Sequence, residues 1–324
     1  MMNKIAMMFP GQASQYPGMG KDLAEKFPEA RAVFDEADRV LGFPLSRMCF
    51  EGSEEDLKQT ANTQPAILAV SVAAFRVLTG KNGVPSIKPD FVAGHSLGEY
   101  SALVAAESLS LADALKLVRQ RGKFMQEAVP AGEGAMAAIM GLSSKQVHEI
   151  CRRASNGEIV SAANLNSPEQ TVISGHTAAV KRAVELASQD GAKRAVILPV
   201  SAPFHCALMQ PARDRMEKAL SSVEFRDPRI PVVTNADAEV ISTGVEARDA
   251  LMRQITLPVL WEESISELMQ QGVRTFVEVG PGRVLCGLLR QIDRSVHSLN
   301  VEDETSLRSA QAKLPQIGAE AGES

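Results

Sequence analysis

The sequence predicts an α/β protein: a largely parallel sheet flanked by helices, interrupted by a smaller inserted unit. Three observations carry this. Short apolar runs that fit strands alternate with longer runs of helical period through residues 4–125, the rhythm of a parallel sheet with crossover helices. Between about 130 and 199 the order becomes β-α-β-β-α-β, that of a ferredoxin-like unit. Gly94-His95-Ser96-Leu97-Gly98 falls where a strand should hand over to a helix, the setting of a serine raised on a sharp turn.

The elements follow in order. Residues 4–9 are a short apolar strand ended by Pro10-Gly11. Residues 28–41 carry Ala30, Val33, Phe34, Ala37 and Leu41 at helical spacing. Ser53 with Asp56 signals an N-cap. Residues 65–78 form an apolar helix closed by Gly80. Residues 91–93 are a buried strand, 97–106 a helix, and Ser110 caps a helix over 111–125. In the inserted unit, 135–140 is a strand, and Ser143 with Gln146 forms a capping box for a helix to Ala154. Strands over 159–164 and 171–174 flank the turn at Ser167-Pro168, then come a helix over 177–188 and a strand over 194–198. Strands at 231–234 and 275–279 and helices at 246–255, 262–271 and 283–292 complete the larger unit. The expected organisation is 1–129 with 200–308 as the main domain, 130–199 as the insertion and 309–324 as a polar tail.

Composition narrows the class. In 324 residues, 34 Lys and Arg stand against 39 Asp and Glu, a net charge of −5. A basic stripe for nucleic acid is not evident. Cys49, Cys151, Cys206 and Cys286 form no CxxC pair, so no metal centre is expected and the thiols read as reduced residues of a cytoplasmic protein. The first residues lack the length and cleavage site of a signal peptide, and no run approaches 18 consecutive apolar residues, so no membrane segment is expected.

The chemistry centres on Ser96. A nucleophile elbow holds its serine in a strained turn, and glycines two before and two after keep side chains out of the crowded space. The following helix aims its free N–H groups at the reaction centre, which makes the Leu97 N–H a candidate oxyanion donor. Such a serine needs a base. His148 and His176 read as surface residues, and His95 as a packing or hydrogen-bonding neighbour. Two candidates remain. His297, late in the chain, fits the Ser-acid-His order of a serine hydrolase, with Asp237 or Glu278 as the acid. His205 follows the insertion on a Pro-bearing loop that could hang over the elbow. Spacing alone does not separate them.

Several segments together resemble one family. Phe9-Pro10-Gly11-Gln12, Gln15 with Pro17-Gly18-Met19-Gly20, Gly94-His95-Ser96-Leu97-Gly98-Glu99-Tyr100, Arg121-Gly122-Lys123-Phe124-Met125, Asn164-Leu165-Asn166-Ser167, Phe204-His205 and Val279-Gly280-Pro281-Gly282 resemble, in order, the malonyl-coenzyme A:acyl carrier protein transacylases of fatty acid synthesis. The resemblance spans about 5–305. It implies an α/β-hydrolase-like main domain with a ferredoxin-like insertion, in agreement with the reading above.

The resemblance also implies roles. Ser96 is the nucleophile and His205 its base. Gln254 orients His205 through a carbonyl oxygen, backbone N–H groups of Gln12 and Leu97 form the oxyanion hole, and Arg121 holds the malonyl carboxylate. The partners implied are malonyl-coenzyme A, as a substrate rather than a cofactor, and a small acidic acyl carrier protein. Lys193, Arg194, Arg283 and Arg290 are candidate positive charges for docking it. Two positions depart from the family pattern. Ala13 stands where many members have glycine. Phe204 stands where many stand-alone enzymes have serine, and is similar to malonyl-selective acyltransferases of polyketide synthesis.

Overall fold

A computed structural model of the chain describes residues 4–81, 83, 87–200 and 202–320. It contains two sheets. The strands are β1 (Lys4–Phe9), β2 (Phe91–Gly94), β3 (Gly134–Met140), β4 (Val160–Ser167), β5 (Gln170–His176), β6 (Arg194–Ile197), β7 (Val232–Val233), β8 (Val240–Ile241), β9 (Val273–Val279) and β10 (His297–Val301). The larger sheet runs β10-β9-β1-β2-β7-β8. Its pairs are parallel except β7 with β8, which form a short antiparallel edge.

Alternation along the strands builds two cores. Met7, Phe9, Val92 and Val277 face one side, and Ala6, Met8, Ala93 and Phe276 the other, the period-2 alternation of a sheet covered on both faces. Helices Pro28–Leu41, Thr60–Thr79 and Leu111–Glu127 cover the first face. Helices Trp261–Gln270 and Val284–Ile292 cover the second. The second sheet, β4-β5-β3-β6, is antiparallel throughout. Helices Ser144–Ser155 and Thr177–Gln189 pack on it around a core of its own. This is the ferredoxin-like unit, inserted into an α/β-hydrolase-like fold. It docks through β4, whose Ala163 O accepts from Val259 N and whose Leu165 N donates to Val259 O.

The expected caps form: the side chains of Ser53, Ser110 and Ser143 accept from the N–H groups of Asp56, Asp113 and Gln146. Two expectations need correction. The helix expected over 65–78 begins a turn earlier, at Thr60, with Pro65 inside it. Proline cannot donate to the carbonyl four residues back. Arg119 Nη1 takes over that acceptor, donating to Ala61 O at 2.5 Å. This helix is also long and apolar enough to cross a membrane by length and composition, but 83% of that window is buried inside the protein. The expected polar tail over 309–324 is a helix, Glu304–Glu320. Leu307, Ala310 and Leu314 form a stripe at helical spacing that enters the core; residues 321–324 lie outside the described ones.

Candidate active site

The glycines of the Ser96 turn are fixed by contact. A Cβ at Gly94 would lie 1.9 Å from the Gly98 carbonyl carbon, and one at Gly98 would lie 2.0 Å from Phe9 O. Only bare backbone lets β2, the turn and the end of β1 come this close. Ser96 sits at φ +52°, a left-handed conformation that is costly for a side-chain-bearing residue. The turn is held by Asn235: its Oδ1 accepts from Ser96 N at 2.6 Å and its Nδ2 donates to Gly94 O at 2.7 Å. Leu97 is the N-cap residue of helix Gly98–Ala105, so the positive end of the helix faces the serine.

His205 and Ser96 are brought together across the sheet. Ser96 Oγ lies 2.7 Å from His205 Nε2, and His205 Nδ1 lies 2.8 Å from the backbone oxygen of Gln254. That second contact makes Nδ1 the donor and leaves Nε2 free to accept the serine proton. His205 is buried, itself at φ +57°. Burial, and secondly the charge of Arg121, pull its pKa down to about 3.

Arg121 is 1% exposed. Its Nη2 donates to Gln254 Oε1 at 2.8 Å and to Ser96 Oγ at 3.1 Å, and its Nη1 to Gln64 Oε1 at 3.0 Å. These partners are all neutral, and its buried Nε finds none among the described residues. Burial pulls its pKa below the usual value, though a guanidinium stays charged. A buried cation beside a nucleophile, with no carboxylate in hydrogen-bond contact, is a receptor for an anionic group. Gly122 makes the placement possible: a Cβ there would lie 2.6 Å from Thr60 O, so the two helices touch backbone to backbone and the next side chain reaches the cleft.

The cleft has a volume of about 310 Å³ and lies between the two units. Gln12, Ala13, Ser96, Arg121 and His205 line its floor; Met136, Ala138 and Val172 of the inserted sheet line one wall, and Val284 and Leu288 the other. Phe204 also lines it. Ala13, at φ +83°, occupies a conformation that glycine would hold without strain.

The remaining histidines separate cleanly. His297 is exposed at the start of the edge strand β10, paired with Thr275 at the start of β9. In a parallel sheet that is the end opposite Ser96, so the structure does not bring His297 to the nucleophile. Its proposed acids are engaged elsewhere: Asp237 pairs with Arg253, and Glu278 accepts from the N–H groups of Leu285 and Cys286. His95 contacts Asn166 Oδ1 at 2.8 Å and packs on Trp261. His148 is exposed, and His176 accepts from Ile159 N.

Gln64 and Asn235 did not stand out in the sequence, and Glu99, Asn164 and Asn166, though part of its motifs, had no role assigned. For Glu99 a signal existed: it is the one charged residue of Gly98–Ala105, and a lone charge in an apolar helix marks a buried polar contact. Asn235 carried no such mark.

A family model for the acyl transferase domain matches residues 7–316. The chain is 47% identical over 310 residues to a malonyl CoA-acyl carrier protein transacylase of Bacillus subtilis strain 168, covering 95% of this chain and 96% of the relative. Among solved structures, the malonyl CoA-acyl carrier protein transacylase of Coxiella burnetii superposes with a TM-score of 0.94 at 43% identity, covering 97% of this chain and 98% of the other. A malonyl-transacylase solved with its type II polyketide synthase acyl-carrier protein superposes with a TM-score of 0.93 at 46% identity, covering 96% and 100%.

Proposed function

The chain belongs to the acyl transferase family, among the malonyl-coenzyme A:acyl carrier protein transacylases, and we propose that it works by ping-pong transfer through an acyl-Ser96 ester. The enzyme moves a malonyl group from malonyl-coenzyme A to the phosphopantetheine thiol of acyl carrier protein. Ser96 Oγ attacks the thioester carbonyl while His205 Nε2 takes its proton, and the imidazolium then protonates the departing coenzyme A thiolate. In the second half, the carrier's thiol gives its proton to His205 and its sulfur attacks the ester; as the intermediate collapses, the imidazolium returns that proton to the departing Ser96 Oγ. The oxyanion of each tetrahedral intermediate is assigned to the backbone N–H groups of Gln12 and Leu97.

The observation that carries the substrate assignment is Arg121, a buried guanidinium held only by neutral acceptors beside Ser96. A malonyl carboxylate supplies the direct ionic partner that these contacts lack. It also offsets the field by which Arg121 lowers the basicity of His205, so binding the correct acyl group favours the proton transfer that follows. The chain's own groups supply nucleophile, base and oxyanion donors, and the reaction as read needs no cofactor. Fatty acid synthesis in the cytoplasm is the assigned setting, supported by four buried unpaired thiols that suit a reducing compartment. Service to a polyketide carrier is the second reading, kept by the similarity to the polyketide-associated malonyl-transacylase.

Two measurements test the mechanism. Mass spectrometry after malonyl-coenzyme A treatment should find one malonyl adduct, on the peptide containing Ser96, and none in Ser96→Ala; an adduct that persists on a cysteine peptide would remove the serine mechanism. Arg121→Ala should lower malonyl transfer by roughly 30- to several-thousand-fold, the effect of truncating a charge-assisted pair worth about 2–5 kcal/mol. Acetyl transfer should hold or rise. Equal losses for both acyl groups would make Arg121 structural.

A further inference from the structure

We propose that Glu99 is the buried counter-charge of Arg121 and a positioning residue for Ser96, acting through the side-chain amide of Gln254 and the backbone N–H of Asn235. Glu99 is 1% exposed on the helix that starts at the elbow. Its Oε2 accepts from Gln254 Nε2 at 2.9 Å and from Asn235 N at 2.9 Å. Each partner leads to the reaction centre. The Gln254 amide also donates from Nε2 to Ser96 O at 3.0 Å and accepts at Oε1 from Arg121 at 2.8 Å, while its backbone oxygen holds His205. Asn235 holds Ser96 N and Gly94 O through its side chain. A single amide therefore bridges a buried carboxyl and a buried guanidinium, with its dipole aligned to both.

This arrangement has a consequence for acyl recognition, and it rests on Arg121 as the site of the malonyl carboxylate. An ionised Glu99 balances Arg121 while the cleft is empty, which keeps a buried cation tolerable. When malonyl binds, the same carboxylate repels it, because opposite and like charges both act over several ångströms in a low-dielectric site. Glu99 thus lowers affinity for the charged acyl group. In return it favours the imidazolium that forms on His205 in both half-reactions. The charged groups facing Glu99 are Arg121 from helix Leu111–Glu127 and Asp237 from the turn after β7, itself paired with Arg253. Burial pushes the Glu99 carboxyl up to about 7, so it is ionised at pH 8.

Glu99→Gln removes the charge and keeps an acceptor for Gln254 and Asn235; Glu99→Ala removes both. Rapid-quench acylation of Ser96 at pH 8 gives a half-saturating concentration and a limiting rate for malonyl- and acetyl-coenzyme A. For Glu99→Gln, half-saturation by malonyl-coenzyme A should fall roughly three- to tenfold and that by acetyl-coenzyme A should not move. The limiting rate should drop by a similar factor for both. Glu99→Ala should lose at least a further tenfold in limiting rate for both acyl groups, as the elbow and the histidine lose their anchors. An unchanged or raised malonyl half-saturation in Glu99→Gln, with a native thermal melt, overturns the counter-charge role. Equal limiting rates in the Gln and Ala variants overturn the positioning role. Arg121→Ala run alongside separates the two ideas: if it preserves the malonyl-to-acetyl ratio, the arginine assignment itself has failed.

Discussion

His205 shows how much one residue's surroundings decide. Its sequence context offers an imidazole that would titrate near 6.5 in water. Burial and the adjacent Arg121 hold it neutral to about pH 3. The base is therefore available far into acid, and kcat/KM should show no His205 limb between pH 5 and 7. The sign for stability is opposite. Unfolded chains protonate this histidine below about 6.5 and the folded one does not, so its contribution to stability is lost as pH falls below that value. Beyond the roughly three- to tenfold fall in limiting rate expected as Glu99 protonates near pH 7, loss of activity in acid should accordingly track loss of fold, measured by thermal melts at the same pH values. His205→Ala should lower transfer by roughly 10²–10⁴-fold, whereas His297→Ala, at the far end of the sheet, should be near neutral. The reverse ranking would restore the hydrolase reading. Ser96 could be found from its motif because the turn is local, whereas Arg121, on a basic helix end, was assigned only through resemblance. Gln254 could be assigned only through resemblance, because its two useful groups, a backbone oxygen and an amide, act on residues distant in sequence.

At the scale of elements, the crossing of helices Thr60–Thr79 and Leu111–Glu127 sets the acyl-binding end of the cleft. The first helix contributes Gln64 and a carbonyl freed by Pro65; the second contributes Arg119 to cap that carbonyl and Arg121 to reach Ser96. Gly122 allows the contact. Gly122→Ala should push the helices apart, at a cost of about 1–3 kcal/mol. Because the shift displaces Arg121 and leaves His205 in place, malonyl transfer should fall more than acetyl transfer. A variant that melts lower but keeps the wild-type ratio would show that the crossing does not tune selectivity. The caps at Ser53, Ser110 and Ser143 were legible because a serine and its partner three residues on form a local signal. Strand β7 was read over 231–234 and forms over Val232–Val233, but β8 and β10 were missed: β8 is two residues long, too short for any period, and β10 (His-Ser-Leu-Asn-Val) mixes polar and apolar residues at an edge.

At the scale of the molecule, the C-terminal helix closes the core that the N-terminal strand opens. Deleting residues 310–324 removes Ala310 and Leu314 from that core, and should cost about 2–5 kcal/mol, the range for emptying a buried leucine site. Among the described residues, none of that helix lines the cleft, so acylation of the folded fraction at low temperature should proceed at the full-length rate. An unchanged melting temperature would return this segment to the status of a tail. The amino-acid sequence alone determined the α/β class, the β-α-β-β-α-β insertion, the elbow at Ser96 and, through ordered motifs, the family. Each is written in short-range pattern: strand and helix period, cap spacing, glycines around a serine. Tertiary structure alone decided that His297 lies at the far end of the sheet from Ser96, that Arg121 is buried among neutral partners, and that Glu99, Asn235 and Gln254 form one network beneath the nucleophile. Those facts depend on which strand ends share a side of the sheet and on how closely two helices approach, and burial then sets the charge states that the chemistry uses.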